Sequence, residues 1–325
     1  MDVRTRTRTE QDSLTVLLLI TEKHHQEEAL FSRLSEKRVP RRLAVAGGIG
    51  ASVALIATLV SGTASAAKPQ PSQDPVPFGQ GYMGVGYVKD AKDFKPDNRA
   101  TRQDTEGTLG PNLSAYPAGI DVSHYQGSIN WKKVKAAGIQ FAWIKATEGT
   151  TYRDANFSAN YLNAYNNKVI RGAYHFARPG NSSGAAQAKY FASHGGAWSR
   201  DNLTLPGVLD LEGGCAGKST SAMRSWILDF YNTYKAKTGR DVVIYTSASW
   251  WNSCTGRWTG MSKKSPLWAA HWTSASKPTI PAGFPFWTIW QYTDSGRVNG
   301  ISGNVDRDRF NGDRSRLLAL ANNTP

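Results

Sequence analysis

The sequence has 325 residues, with 39 Lys and Arg against 25 Asp and Glu, which gives a formal net charge of +14. This length suits one large domain or two small ones. A basic protein is attracted to anionic surfaces, but no basic and aromatic motif for reading nucleic acid is present, so we expect no nucleic-acid partner. With only Cys215 and Cys254 and no Cys/His cluster, the sequence predicts no metal site and no cofactor.

Residues 38–66 have the organisation of an export signal. Basic residues within Arg38–Arg42 precede the apolar run Leu43–Val60, and Ala64–Ala66 reads as an A-x-A cleavage site. A membrane anchor is the alternative, because the run approaches spanning length. The small residues at its exit favour cleavage. We therefore expect a secreted, extracellular protein that has no stable membrane insertion after cleavage.

Two further segments flank this signal before the domain begins. Residues 1–37 are highly charged, which is unusual ahead of a signal peptide, and we interpret them as the product of a start site assigned too far upstream. Residues 67–113 begin Pro-rich and continue with little apolar periodicity, which is typical of a linker. We expect a loosely ordered pre-segment there, draped over a catalytic domain at 114–325.

From Tyr116 onward, patterns of a strand and then a helix alternate. The predicted strands are Ile120–Tyr125, Ile139–Ala146, Ile170–Phe176, Val208–Glu212, Val242–Thr246, Leu267–His271, Trp287–Tyr292 and Asn304–Asp306. The predicted helices are Trp131–Ala137, Ala155–Asn166, Gly184–His194 and Ser221–Thr238, and the helices are predicted to stop after the fifth strand.

These eight strands predict an α/β fold of the TIM-like barrel type with an irregular last third. The gaps between the last strands are mostly too short for a crossover helix. A doubly wound open sheet is the alternative fold. No Gly-rich phosphate loop follows any predicted strand, which argues against nucleotide binding.

The stretch Pro206–Gly213 carries two acids inside a short apolar run. Side chains alternate along a strand, so Asp210 and Glu212 point to one face while Leu209 and Leu211 point to the other. Two neighbouring buried carboxyl groups raise at least one pKa. A protonated carboxyl beside an ionised one is what glycosidic bond cleavage requires. A polar strand end with two solvated acids is the alternative interpretation.

Two more acids are expected at the same end of the barrel. Asp121 lies in the first predicted strand and Asp306 in the last, and these strands are neighbours when a barrel closes. Active sites of such barrels lie at the carboxyl ends of the strands. A lone Asp there is usually a turn or cap residue, but four acids at equivalent ends favour a catalytic cleft.

Aromatic and polar residues near those ends resemble a sugar-binding surface, because flat rings pack on the C–H faces of sugars and amides bind hydroxyls. The candidates are Tyr125, Tyr174, Tyr245, Trp268, Gln291 and Lys145. Core packing is the alternative for each aromatic residue. For Lys145, as for His175, a structural hydrogen bond is the alternative.

Cys215 and Cys254 are expected to form one disulfide. The protein is predicted to be exported, and disulfides persist outside the cell. The two residues follow the fourth and fifth predicted strands, which are neighbours in a barrel, so both lie on loops at the same end. Two free buried thiols are the alternative.

Several linked motifs resemble the glycoside hydrolase family 25 lysozymes, most closely the secreted actinobacterial, Chalaropsis-type muramidases. The motifs are IDVSHYQG at 120–127, FAWIKATEG at 141–149, GAYHF at 172–176, LDLE at 209–212, FWTIWQY at 286–292 and VD at 305–306. The resemblance implies a flattened (β/α)5β3 barrel. It also implies cleavage of the β-1,4 bond between N-acetylmuramic acid and N-acetylglucosamine in bacterial peptidoglycan, by a protein expected to be a monomer.

By motif position, the resemblance implies that Glu212 is the general acid and that Asp210 assists a reacting 2-acetamido group. Asp121 and Asp306 would position the substrate. Tyr125 stands where many relatives have Trp, which affects stacking rather than chemistry. The positive charge predicts attraction to anionic cell-wall polymers. A chitinase-like hydrolase and a non-catalytic wall-binding barrel remain as alternatives, and retention or inversion of stereochemistry is left open.

Overall fold

The computed structural model of the protein describes residues 75–86 and 116–325, which belong to one compact unit. The strands in these ranges are β1 (Ala118–Val122), β2 (Phe141–Glu148), β3 (Tyr152–Arg153), β4 (Ile170–Phe176), β5 (Val208–Asp210), β6 (Val243–Ser247), β7 (Leu267–Ala270), β8 (Ile289–Gly296) and β9 (Val305–Phe310). The α-helices are α1 (Trp131–Ala136), α2 (Phe157–Asn166), α3 (Gly184–Phe191), α4 (Thr220–Thr238), α5 (Ala248–Thr255) and α6 (Arg314–Asn322).

The predicted upstream region, the export signal and most of the linker lie outside the described residues, as does the apolar run Leu43–Val60. Within 75–86 and 116–325, none of the helices is both long enough and apolar enough to cross a bilayer.

Eight strands close into a barrel, with the short β3 attached to β2 outside it. Neighbours are parallel from β1 through β2 and β4 to β8, whereas β9 runs antiparallel to both β8 and β1. Pairing of Gly119 with Phe141 joins β1 to β2 and completes the ring. The predicted barrel is therefore confirmed, and the open-sheet alternative is wrong.

The period-two alternation of the strands sorts side chains between the interior of the barrel and the surrounding helices. Tyr174, Tyr245 and Trp268 belong to the interior cluster, while Leu209 and Ile244 pack in the cluster formed with the helices. The stretch around Asp210 shows the predicted alternation, so the side chains of Asp210 and Glu212 face the interior of the barrel.

Two strand glycines make room for the large interior rings. A Cβ at Gly119 would lie 2.1 Å from the Phe141 ring, and one at Gly172 would lie 2.2 Å from Trp143 Nε1. Both contacts are shorter than any real Cβ tolerates, so a side chain at either position would displace an aromatic residue. Close packing of the interior therefore depends on these glycines.

Local sequence explains most helix boundaries. Helix α4 buries the stripe that includes Trp226, Ile227 and Phe230, begins after the Ser219 cap and ends at Gly239, whose φ is 71°. A left-handed glycine at this position is a common helix stop. The predicted helix Ser221–Thr238 is confirmed with its start moved by one residue.

Two predictions about elements are wrong. The first strand ends at Val122 rather than Tyr125, because Ser123 and Gln126 form a capping box that starts a 3₁₀ turn over His124–Gln126. Helix α5 follows β6, the fifth barrel strand, but a further helix, α6, follows β9, where none was predicted. Helix α6 starts where the Asp313 side chain accepts a hydrogen bond from Arg316 N at 2.9 Å.

Cys215 and Cys254 form a disulfide, with their Cα atoms 5.2 Å apart, which confirms the predicted pairing. Cys215 lies in the loop after β5, three residues beyond Glu212. Cys254 lies in α5 rather than in a loop. The bond therefore joins the segment that follows the Asp210–Glu212 pair to the helix after β6.

We expect the double variant Cys215→Ser, Cys254→Ser to lose stability. The bond spans a sequence separation of 39 residues, for which chain entropy gives a loss of roughly 3–4 kcal/mol in the free energy of unfolding. Urea unfolding followed by tryptophan fluorescence measures this. Reductant should destabilise the wild type and leave the double variant unaffected, and equal midpoints for the two proteins would contradict the expectation.

Candidate active site

Four predicted carboxyl groups meet at one end of the barrel. Asp210 is the last residue of β5, and Glu212 follows it on the same side of the chain. Asp121 in β1 pairs in register with Asp306 near the start of β9. Because β9 runs antiparallel, its beginning lies at the end of the barrel where the parallel strands finish, so all four acids share the carboxyl end.

The four carboxyl groups are almost completely shielded from solvent. The exposed fractions are 0% for Asp210, 1% for Asp121, 6% for Asp306 and 7% for Glu212. Burial, reinforced by the neighbouring carboxylates, raises the pKa of Asp210, Glu212 and Asp306 well above the usual range. Burial also raises the pKa of Asp121, to about 7. The cluster consequently retains protons at neutral pH.

Hydrogen bonding distinguishes the two acids of the Asp-x-Glu pair. Glu212 Oε2 accepts bonds from the backbone N–H groups of Gly84 and Gly86, both at 3.1 Å. Glu212 Oε1 and both oxygens of Asp210 have no hydrogen-bond partner among the described residues. The Asp210 side chain is thus held by packing alone. Any hydrogen-bond donor that a ligand supplied would strongly stabilise its ionised form.

Gln291 fixes the position of Asp121. Its Nε2 donates to Asp121 Oδ2 at 2.9 Å, while its Oε1 accepts from Tyr245 Oη at 2.8 Å and from Trp272 Nε1 at 3.0 Å. Two donors on Oε1 define the orientation of the amide, so the amide nitrogen must face the carboxylate. The predicted site residues Gln291 and Tyr245 therefore lie in one network with Asp121.

A fifth acid, Asp308, was missed by the sequence analysis. It lies two residues after Asp306 in β9, is fully buried, and accepts a bond from Trp268 Nε1 at 3.2 Å through Oδ1. Burial and then the charge of Asp121 raise its pKa well above the usual range. The same spacing of two that singled out Asp210 and Glu212 would have found it.

A buried ion-pair network beside the cluster was also missed. Lys145 Nζ lies 2.7 Å from Glu148 Oε2, and Arg178 Nε donates to Glu148 Oε1 at 2.9 Å. Burial acts to raise the pKa of Glu148, but these two cations hold it below its usual value. Lys145 was predicted to bind substrate, and in this structure its amine contacts Glu148 and Gly81 O.

The remaining predicted site residues differ in their exposure to solvent. Tyr125 is 50% exposed at the rim, whereas Tyr174, Tyr245 and Trp268 are completely buried in the interior. His175 faces outward, where Thr147 Oγ1 and Gln187 Oε1 lie 2.8 and 3.0 Å from its ring nitrogens. Of its two predicted roles, the structure shows the structural hydrogen bond.

A closed barrel with paired buried acids at its carboxyl end is an arrangement that glycoside hydrolysis can use. The sequence profile described as glycosyl hydrolases family 25 matches residues 120–301. The chain belongs to this family, and it is a glycoside hydrolase of the lysozyme class. The resemblance noted in its motifs is thereby confirmed.

Individual relatives agree with this assignment. Lysozyme M1 of Streptomyces globisporus is 56% identical over 301 residues, covering 90% of this chain and 99% of that protein. The N,O-diacetylmuramidase of a Chalaropsis species is 46% identical over 200 residues, covering 58% of this chain and 95% of that protein. A crystal structure of the bacterial lysozyme from Streptomyces coelicolor has a TM-score of 0.64 and 65% identity, covering 65% of this chain and 100% of that chain.

We expect Asp121→Asn to flatten the pH dependence of stability. The pKa of Asp121 rises from 3.8 to about 7 on folding, so its contribution is fully present below pH 3.8 and is lost as the pH approaches 7. The loss is at most about 1.4 kcal/mol per pH unit. Urea midpoints at several pH values between these limits measure it, with Asp241→Asn at the surface as control. Parallel curves for wild type and Asp121→Asn would contradict the expectation.

Proposed function

We propose that the protein hydrolyses the β-1,4 bond between N-acetylmuramic acid and N-acetylglucosamine in bacterial peptidoglycan. The observation that carries this proposal is the buried Asp210–Glu212 pair at the barrel end, where burial raises both pKa values, reinforced by Asp121 at Asp210 and by Asp210 at Glu212. Relatives that share the domain are named lysozyme and N,O-diacetylmuramidase, which supports the choice of bond.

Glu212 is proposed as the general acid. Its raised pKa keeps a proton available at neutral pH, and Oε1, which has no partner among the described residues, can carry that proton toward the glycosidic oxygen. Protonation of the leaving oxygen allows the glycosidic bond to break. The hydroxyl of the released sugar takes this proton, and the ionised Glu212 can then deprotonate the incoming water.

Asp210 is proposed to act on the 2-acetamido group of the substrate. Neither of its oxygens has a donor among the described residues. An acetamido N–H would supply that donor, favour the ionised aspartate and hold the acetamido oxygen toward the anomeric carbon. Asp121, fixed by Gln291, and Asp306 would support the position and protonation state of this pair.

We also propose that the protein works outside the cell, at the surface of bacterial walls, as a monomer. The predicted export signal and the disulfide support a protein that works outside the cell. The net charge of +14 supports attraction to the anionic polymers of bacterial walls. Tyr125 at the rim is proposed to stack on a sugar ring, and a monomer is sufficient because the acids all come from one chain.

Substrate choice is tested with purified bacterial walls and with chitin. We expect turbidity of the walls to fall while new reducing ends appear at muramic acid, with little release from chitin. Equal or greater release from chitin would support a chitinase-like enzyme instead. Binding to walls without release of reducing ends would support a non-catalytic barrel.

Glu212→Gln should reduce wall hydrolysis by about 10²–10⁴-fold, because removal of a general acid typically costs this much. Asp210→Asn should be similarly impaired, while Asp241→Asn at the surface serves as the matched control. Initial rates are compared at equal protein concentration, and unfolding midpoints establish that each variant is folded. A folded Glu212→Gln protein with near wild-type activity would overturn the assignment.

A further inference from the structure

Residues 75–86, here called the pre-segment strap, lie against the carboxyl end of the barrel. Their strongest feature is direct contact with the proposed general acid. The N–H groups of Gly84 and Gly86 both donate to Glu212 Oε2 at 3.1 Å. The carboxyl group that must protonate a glycosidic bond is therefore bound by the chain itself through one of its two oxygens.

A second anchor holds the other half of the strap. Gly79 N and Gly81 N donate to the two oxygens of Glu148 at 2.6 and 3.2 Å. Arg178 binds the carbonyl oxygens of Val76 and Pro77 at 2.5 and 2.7 Å. The buried Glu148 and Arg178 thus bind donors and acceptors of the strap backbone, as they would bind a polar ligand in the cleft.

Apolar side chains of the strap cover the surfaces that were predicted to bind sugars. Met83 is completely buried in the interior cluster that contains Tyr174, Tyr245 and Trp268. The ring of Tyr82 packs edge-on to Tyr125, with centroids 5.0 Å apart. With the strap in place, the interior rings lack a free face for a saccharide, and Tyr82 occupies part of the surroundings of the half-exposed Tyr125 ring.

The fit depends on glycines spaced along the strap. A Cβ at Gly86 would lie 2.2 Å from Gly213 N and 2.9 Å from Glu212 Cβ, and one at Gly81 would lie 2.5 Å from the Phe176 ring. Gly84 has a φ of +92° and approaches Trp272. Because a side chain at these positions would collide with the cleft, the glycines explain how a backbone comes so close to the acids.

We propose that the pre-segment strap is an intramolecular inhibitor that occupies the substrate cleft, so that the full chain is a latent form of the enzyme. This inference rests on the proposed function. Covalent attachment gives the strap an effective concentration of roughly millimolar, so substrate must compete with it until the strap is displaced or cut away. A strap that merely completed the active site would leave Glu212 and the aromatic faces open to substrate.

The test compares Gly86→Val with Gln80→Ala in the full chain. Valine at position 86 should expel the strap without altering the barrel, whereas the Gln80 side chain is exposed on the same strap. We expect Gly86→Val to hydrolyse walls about tenfold faster or more, since loss of a tethered ligand can release roughly 10²–10⁴-fold in competition. Gln80→Ala should match the wild type.

A second measurement avoids reliance on one variant. A recognition sequence for a site-specific protease replaces residues 98–103, and rates are measured on the same sample before and after cutting and removal of the freed peptide. We expect activation on cutting. A synthetic peptide of residues 75–86 should then inhibit the cut enzyme, and the same peptide with Gly86→Val should not.

The outcomes separate the two proposals. If the wild type hydrolyses walls and neither Gly86→Val nor cutting raises the rate, the strap is not an inhibitor and the proposed function stands. If no form releases reducing ends, the proposed function fails, and hydrogen exchange of amides 79–86 decides the occupancy. Slow exchange in the wild type that becomes fast in Gly86→Val supports a seated strap, and equally fast exchange in both overturns it.

Discussion

The rest of the structure depends on one constraint, which is that five carboxyl groups are buried together away from water. Asp121, Asp210, Glu212, Asp306 and Asp308 are all buried at or below the carboxyl end of the barrel. Such a group is stable only while protons remain bound, because several buried negative charges would repel one another at high cost. The barrel supplies the rigid framework that prevents these groups from turning to water.

The direction of β9 is what completes this group. If β9 ran parallel to its neighbours, the start of that strand would lie at the opposite end of the barrel and Asp306 would be far from Asp210. Antiparallel pairing with β1 instead places Asp306 opposite Asp121. The irregular last third of the fold is therefore part of the catalytic arrangement, since it turns the beginning of one strand toward the ends of the others.

Periodicity in the sequence was sufficient to predict the elements whose burial follows a regular pattern. Strand β4 was predicted at its observed bounds and α4 within one residue, because the first is mostly apolar and the second carries a clear stripe. Helix α6 was missed because it is short and fully buries only Leu317 and Ala321. The four acids were found because equivalent strand ends converge in any barrel.

Contacts that join distant parts of the chain could not be predicted in this way. Gly86 and Glu212 are separated by 126 residues, and the glycines of the strap have no period that a strand or helix would impose. The spacing of these glycines can be explained only by the shape of the cleft that they contact. The same is true of Arg178, whose partners Glu148 and Val76 lie on different segments.

The amide groups of Gly84 and Gly86 also link the occupancy of the cleft to the pKa of Glu212. Two N–H donors favour the ionised form of Glu212 and so lower its pKa against the effect of burial. Cleavage of a glycosidic bond requires the protonated form. Once the strap leaves, these two donors are lost, and the protonation of Glu212 depends on burial and on the neighbouring carboxyl groups.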